Sequence, residues 1–208
     1  MKLPASVEGR ERARLFCALR LPDQTLAALS SWQAEHIHSG RPVVRGNLHV
    51  TLAFLGHRPV VELQPILAAL REAAAGAYPI RLVPERYRET RSVGMLALKD
   101  LGGAAGRLAA DLHERLEQLG VYERERRPWL PHVTVVRFRE RPHLQPPVPQ
   151  TGEVVPSDAA AYHSVLRSGG AQYVVVESFA LGGGYQWIAS KHWTSLSARS
   201  SGSSARVP

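Results

Sequence analysis

The sequence predicts an α+β protein built from two sheet-and-helix lobes that are related by an approximate two-fold axis. First, a short apolar strand, an amphipathic helix and a second strand follow one another twice along the chain. Second, the closing strand of each copy begins with the same pattern, His49-Val50-Thr51-Leu52 and His132-Val133-Thr134-Val135, 83 residues apart. A degenerate duplication of one strand-helix-strand unit accounts for both observations.

The first copy begins with the apolar strand FCALRL at residues 16–21. Pro22-Asp23 follows, where Asp23 can cap a helix whose apolar face carries Leu26, Leu29 and Trp32. The first histidine motif comes directly after this helix. The segment is therefore predicted to be strand, helix, strand.

The second copy repeats this order with the strand MLALKD at residues 95–100. Its helix is stopped by Gly120 and presents one apolar face, formed by Leu108, Leu112, Leu116 and Leu119. Between the copies, a helix with Pro65 in its first turn and a strand at residues 79–83 are predicted.

The end of the chain is predicted to hold a β-hairpin and an extension. The strands AYHSVL and QYVVVESFAL are separated by the turn signal Ser168-Gly169-Gly170. Residues 145–158 are predicted to be a loop, and the Ser-rich end has the composition of a disordered tail. We therefore expect one bilobal domain over residues 12–184 and a C-terminal extension over residues 185–208.

Length and composition are those of an independently folded globular protein. With 208 residues and 44% apolar composition, the chain can bury a core without disulfide or metal. The single cysteine, Cys17, lies in the apolar segment RLFCALRLP, where a thiol usually serves as a small apolar filler. We find no signal peptide and no run near the ~18 apolar residues of a membrane span, so we expect a cytoplasmic protein.

The charge balance suggests a nucleic-acid or nucleotide partner. The net charge is +8, from 26 basic and 18 acidic residues, and 23 of the basic residues are arginines, which suit bidentate contacts with phosphate. A coding bias with solvated surface charges would give the same composition. Clustering around the two motifs favours the functional interpretation; the arginines concerned are Arg41, Arg45, Arg58, Arg124, Arg126, Arg127, Arg137, Arg139 and Arg141.

The two motifs carry the side chains that phosphoryl chemistry requires. Alternate residues of a strand share a face, so the His and Thr of each motif point the same way. Displacement at phosphorus is in line, so one group must take a proton on one side and another must supply one opposite. Two imidazoles meet that need, and the hydroxyls of Thr51 and Thr134 can hold phosphate oxygens.

The remaining histidines are not predicted to be catalytic, and the sequence does not favour a metal site. A third copy, His192-Trp193-Thr194-Ser195, runs into the Ser-rich tail and is interpreted as a decoy. Non-motif histidines are assigned structural or surface positions, with His113 expected to face solvent on its helix. No HxxxH or HExxH cluster occurs, so we expect no metal and no cofactor.

Residues beside the second motif complete the predicted site. Arg137, five residues after His132, could bind the same phosphate, but strand alternation places it on the opposite face unless a bulge or strand end re-aims it. Arg127 and Trp129 precede the motif and are predicted to contact RNA. Trp129 could equally pack against its own lobe.

The segments RLFCALRLP, RGNLHVTLAFLG and PWLPHVTVVRF resemble those of the two-histidine (2H) phosphoesterases. They are most similar to the RNA 2′,3′-cyclic phosphodiesterases, also called 2′-5′ RNA ligases or LigT-like proteins, over about residues 12–182. The family's usual final LYxS pattern is present only as Ala161-Tyr162-His163-Ser164. The resemblance implies antiparallel sheets with helices packed outside and a central cleft between the lobes.

The resemblance also implies an activity, which is hydrolysis of RNA 2′,3′-cyclic phosphate ends to 2′-phosphate, with weak reverse 2′-5′ ligation. It assigns His49 as the acid, His132 as the base and Arg137 as a phosphate ligand. Phe54 falls where the family has an aromatic residue near the base, although a core position would also explain it.

Two other functions stay open. The cleft could belong to an RNA-end or nucleotide-binding module whose catalysis is incidental, or to a phosphodiesterase for 2′-5′ oligonucleotides or small cyclic nucleotides. The expected partner is RNA or a nucleotide, with no membrane, no obligate protein partner and a monomeric state.

Overall fold

The computed structural model describes residues 7–167 and 170–182. This part of the chain forms one eight-stranded sheet with three helices, and all of its strand pairs are antiparallel. The elements are β1 (Arg12–Arg20), α1 (Asp23–His36), β2 (Arg41–Pro42), β3 (His49–Pro59), α2 (Leu63–Ala75), β4 (Leu82–Glu89), β5 (Val93–Asp100), α3 (Ala104–Gln118), β6 (His132–Arg137), β7 (Asp158–Arg167) and β8 (Gly170–Ala180). The predicted α+β class is confirmed.

The sheet has the strand order β4-β5-β6-β3-β1-β7-β8, with β2 paired beside β6. The predicted repeat is confirmed: β1, α1 and β3 form one copy, and β5, α3 and β6 form the other. The strand predicted at residues 79–83 begins instead at Leu82 and continues to Glu89, where it is the edge of the sheet. Its polar residues suit an exposed edge strand, but they hide the alternation of apolar residues by which a strand is predicted from sequence.

The two halves of the sheet meet at a single residue pair, Val50 with Val133. On one side β3 continues into β1, β7 and β8, and on the other β6 continues into β5 and β4. Because the strands separate on both sides of this pair, the sheet forms two lobes that share one junction.

Each repeat's helix contacts the other repeat's half of the sheet. Helix α1 follows β1, yet Gln33 bonds to the backbone of β6, and the Trp32 ring lies 6.4 Å from that of Tyr87 on β4. Helix α3 follows β5, yet His113 bonds to the backbone of β3. This crossing ties the two lobes together.

The sheet separates two apolar regions of very different size. Along β1, Leu15, Cys17 and Leu19 enter the main core beneath the helices, whereas Phe16 and Ala18 point to the opposite face. There Phe16 and Ala18 form a small cluster with Ala160 and Tyr162. Cys17 is fully buried, and burial raises the pKa of its thiol to about 12, which fits the predicted filler role.

The C-terminal hairpin is confirmed, since β7 pairs with β8 from Asp158 with Ala180 to Arg167 with Gly170. Ser168 and Gly169 of its turn, the third His-x-Thr copy at residues 192–195 and the whole predicted extension over residues 185–208 lie outside the described residues. No helix in the described ranges is long and apolar enough to cross a membrane.

Candidate active site

The two histidine motifs lie side by side at the junction of the lobes. Val50 and Val133 are buried in the main core, so the residues flanking them point to the opposite face and are only partly buried. Extending the register from this pair places His49 diagonally across from His132. Diagonal neighbours in an antiparallel pair are about 7–8 Å apart, which leaves room for one phosphoryl group between the two imidazoles.

Each motif histidine is held by the backbone carbonyl two residues before it. Nδ1 of His49 lies 2.7 Å from the oxygen of Asn47, and Nδ1 of His132 lies 2.8 Å from the oxygen of Leu130. A carbonyl only accepts, so Nδ1 carries the hydrogen in both rings. Nε2 is therefore the nitrogen available for proton transfer in both, and in neutral His49 it accepts from the Thr51 hydroxyl at 3.1 Å.

Both motif strands contain an extra residue at the same place. Cys17 and Ala18 on β1 pair with Ala53 and Thr51, which leaves Leu52 without a partner there. Gly94 and Met95 on β5 pair with Val136 and Thr134, which leaves Val135 in the equivalent position; the two register shifts thus follow the two motif threonines. Each shift changes which face the following side chains occupy.

The register shifts bring Phe54 and Arg137, each five residues after a motif histidine, to the histidine face. Phe54 pairs with Phe16, which belongs to the small cluster with Ala160 and Tyr162 on the histidine face, here called the cleft face, and Phe54 is 51% exposed. Arg137 is exposed after the shift at Val135, and its positive charge is one of the causes that lower the pKa of His49. The shift on β6 therefore turns Arg137 to the same face as His132. Phe54 is exposed and is not a core residue.

Buried polar side chains hold the carbonyl groups at both register shifts. Nε2 of Gln33, on α1, donates to the oxygen of Val135 at 2.6 Å, and Nε2 of His113, on α3, lies 2.8 Å from the oxygen of Leu52. The expectation that His113 faces solvent is wrong, because its side chain turns inward to satisfy this carbonyl and is 5% exposed.

Three aromatic rings surround His49. Ring centroids of Phe16, Tyr173 and Tyr162 lie 4.9, 5.4 and 5.9 Å from that of His49. Loss of water around the imidazole lowers the pKa of His49 to about 4; the Asn47 carbonyl opposes this, and the charges of His132 and Arg137 add to it. His49 is therefore neutral at pH 7 in the unliganded protein.

The remaining predicted residues lie around this centre with different surroundings. The Trp129 indole N–H donates to the carbonyl of Thr51 at 3.0 Å, so its polar edge joins the two motifs. Arg127 is exposed and its Nε donates to Glu125 at 2.6 Å. Thr134 is on the histidine face of β6. Among the described residues, no three His, Cys, Asp or Glu side chains are grouped to hold a metal ion.

Sequence reasoning missed the aromatic residues Phe16, Tyr162 and Tyr173 and the supporting residues Gln33 and His113. Phe16 follows a residue of the main core in an almost wholly apolar strand, and its place on the other face depends on pairing. The sequence did contain a signal for Tyr162, since this residue stands in the Ala161-Tyr162-His163-Ser164 pattern.

Comparisons with known proteins show which family the chain is similar to. The family model described as 2′-5′ RNA ligase superfamily matches residues 21–161. The chain is 25% identical over 173 residues to the RNA 2′,3′-cyclic phosphodiesterase of Escherichia coli (strain K12), covering 82% of this chain and 98% of the relative. It is 30% identical over 190 residues to the RNA 2′,3′-cyclic phosphodiesterase of Thermus thermophilus, covering 82% and 91%.

Solved structures give the same result. The crystal structure of TT0787 of Thermus thermophilus superposes with a TM-score of 0.71 at 32% identity, covering 82% of this chain and 98% of that one. The crystal structure of Escherichia coli LigT complexed with NADP⁺ gives a TM-score of 0.70 at 27% identity, with the same coverage.

Proposed function

The chain belongs to the 2′-5′ RNA ligase superfamily, and from this membership we propose that it hydrolyses RNA 2′,3′-cyclic phosphate ends to 2′-phosphates with two histidines as acid and base. Relatives of which it covers more than nine tenths are RNA 2′,3′-cyclic phosphodiesterases. One observation carries the proposal: two imidazoles, each fixed through Nδ1 by the carbonyl two residues earlier, lie diagonally across from each other at the junction of the lobes.

The reaction is an in-line displacement at phosphorus. His132, the base in this assignment, takes a proton from water at Nε2 as the water oxygen bonds to phosphorus. The bond from phosphorus to the 3′ oxygen breaks on the opposite side, and His49 Nε2 gives that oxygen a proton. The products are a 2′-phosphomonoester and a 3′ hydroxyl. If the 5′ hydroxyl of a second RNA replaces water as the nucleophile, the same steps give a 2′-5′ phosphodiester and a free 3′ hydroxyl, which is the weak ligation that the resemblance implies.

Three side chains support the phosphate in this proposal. Thr51 already donates to neutral His49, and its hydroxyl can turn to a non-bridging phosphate oxygen when that histidine is protonated. Thr134 is its counterpart on β6. Arg137 supplies a fixed positive charge where negative charge increases in the transition state.

The lowered pKa of His49 fits the role of acid under one condition, which is that the bound substrate raises this pKa so that His49 takes up a proton from solvent. A bound phosphodiester anion opposes the repulsion that Arg137 and His132 exert on a charged His49. Once formed, an imidazolium of low pKa is a strong acid, and an alkoxide leaving group needs one.

The test is turnover of an RNA that ends in a 2′,3′-cyclic phosphate, followed by end-group analysis, with a chelator present. We expect a 2′-phosphate product and losses of ~10²–10⁴-fold in His49→Ala and His132→Ala. His38→Ala is the matched control, since His38 is exposed outside the site. Full activity in a folded motif variant, or a 3′-phosphate product, would contradict the proposal.

The alternatives separate in the same assay. A binding module would retain the cyclic phosphate RNA without product. A phosphodiesterase for other nucleotides would turn over a 2′-5′ dinucleotide or a cyclic mononucleotide faster than cyclic phosphate RNA. Comparison of kcat/KM over these substrates therefore distinguishes cyclic phosphate hydrolysis from the two alternatives.

A further inference from the structure

Arg14 lies on the same face of the sheet as the motif histidines, beyond the aromatic cluster. It is two residues before Phe16 on β1, and alternation puts both side chains on the cleft face. Its guanidinium lies over the ring of Phe54, 5.1 Å from the ring centroid. The order along this face is thus His49, then the Phe16 and Phe54 pair, then Arg14.

The charge of Arg14 has no acidic counterpart within the part of the chain that the structure describes. Among the described residues no carboxylate forms an ion pair with it. Arg115 on α3 differs, since it pairs with both Glu72 and Asp111. A partly buried cation without an acidic partner, beside a half-exposed aromatic ring, is an arrangement that favours an anionic ligand.

The strand geometry sets how far this charge is from the chemistry. Two residues of a strand span about 7 Å, so Arg14 lies about that distance further along the sheet than Phe16, whose ring touches that of His49. It is therefore too far along the face to share the reacting phosphate. A chain of nucleotides that leaves the two histidines along this face would pass over Phe54 and then Arg14.

We propose that Arg14 binds a phosphate on the 5′ side of the terminal nucleotide, so that the protein prefers RNA chains over 2′,3′-cyclic mononucleotides. This deepens the proposed function and rests on it. The phosphate contact fixes the position of the strand without reading its sequence, while the cation over Phe54 keeps that ring in place.

The experiment compares kcat/KM for a 2′,3′-cyclic mononucleotide with that for a trinucleotide ending in the same cyclic phosphate. We expect Arg14→Gln to lower the trinucleotide value about tenfold, the loss that accompanies one charge-assisted hydrogen bond, and the mononucleotide value less than twofold. The salt dependence of the trinucleotide value should weaken by roughly 0.7 in log–log slope. Arg71→Gln, the same charge change on the exposed surface of α2, should alter neither.

A second arm uses the unaltered protein and a trinucleotide whose two internal phosphates are neutral methylphosphonates. Its kcat/KM should fall to the value of the mononucleotide, and Arg14→Gln should lower it no further. Arg14→Lys, which keeps the charge, should retain part of the preference.

The outcomes distinguish the two proposals. Equal losses on both substrates in Arg14→Gln, an unchanged trinucleotide value, or full activity on the neutral trinucleotide would overturn the role of Arg14. Absence of turnover on every substrate by the unaltered protein would instead overturn the proposed function.

Discussion

Gln33 donates from its side-chain amide to the carbonyl oxygen of Val135 at 2.6 Å, and this bond crosses from one repeat to the other. His113 makes the equivalent contact with Leu52 in the opposite direction. Both carbonyls belong to the residue that the neighbouring strand leaves unpaired, just before the chain brings Arg137 or Phe54 to the cleft. The helix of each repeat thereby supports the active strand of the other.

Replacement of Gln33 by Leu should therefore lower both stability and activity. The carbonyl of Val135 keeps a bond from the amide of Val43 at 2.9 Å, so we expect a loss of only about 1–2 kcal/mol in the free energy of unfolding. The displaced strand end should weaken the contribution of Arg137, whose own removal should cost about 10²–10³-fold in kcat. The measurements are denaturant unfolding and steady-state kinetics.

A double-mutant cycle tests whether Gln33 affects kcat through Arg137. If Gln33 acts through Arg137, then Gln33→Leu added to Arg137→Gln should lower kcat hardly further than Arg137→Gln alone. Additive losses would mean that Gln33 supports the site in another way.

The pH dependence of kcat/KM should show an acidic limb near pH 4. The active form carries one proton shared between the two histidines, and a fall in pH through the pKa of His49 adds a second proton and removes the base. Activity should therefore persist well below the ordinary histidine pKa of 6.5. The measurement is a kcat/KM profile that begins about one pH unit below the expected limb and continues to neutral pH, and an acidic limb at 6.5 would contradict the environment described for His49.

The free energy of unfolding should also depend on pH through the pKa of His49. The pKa of His49 is lower in the folded protein, about 4, than its ordinary value of 6.5, so the unfolded chain binds more protons and stability falls as the pH drops from 6.5 to 4. At about 1.4 kcal/mol per pKa unit, this contribution is roughly 3 kcal/mol. His49→Gln lacks it, so the stability difference between the two proteins should change by that amount between pH 7 and pH 4. A constant difference would contradict the pKa of His49.

The repeat, the two motifs and the requirement for a bulge before Arg137 could be predicted from the sequence, because they depend on local spacing. The positions of Arg137 and Phe54 could not be derived, since strand alternation alone places both wrongly and the extra residues Leu52 and Val135 look like any other apolar strand residue. His113 was misjudged for a related reason. Helical periodicity shows which side chains share a face but not that a strand of the other repeat offers its carbonyl there.

Which histidine is the acid can be decided with a substrate whose leaving group needs no proton. A nucleoside 2′-phosphate esterified with 4-nitrophenol releases a stable phenolate, so loss of the acid should matter little while loss of the base should still matter. With His49 as the acid, His49→Ala should lose less than about tenfold on this ester, yet ~10²–10⁴-fold on the cyclic phosphate. His132→Ala should lose activity on both, and release of nitrophenolate measures the rate directly. The opposite pattern would exchange the two roles, which the near-symmetric contacts of the rings with Asn47 and Leu130 also allow.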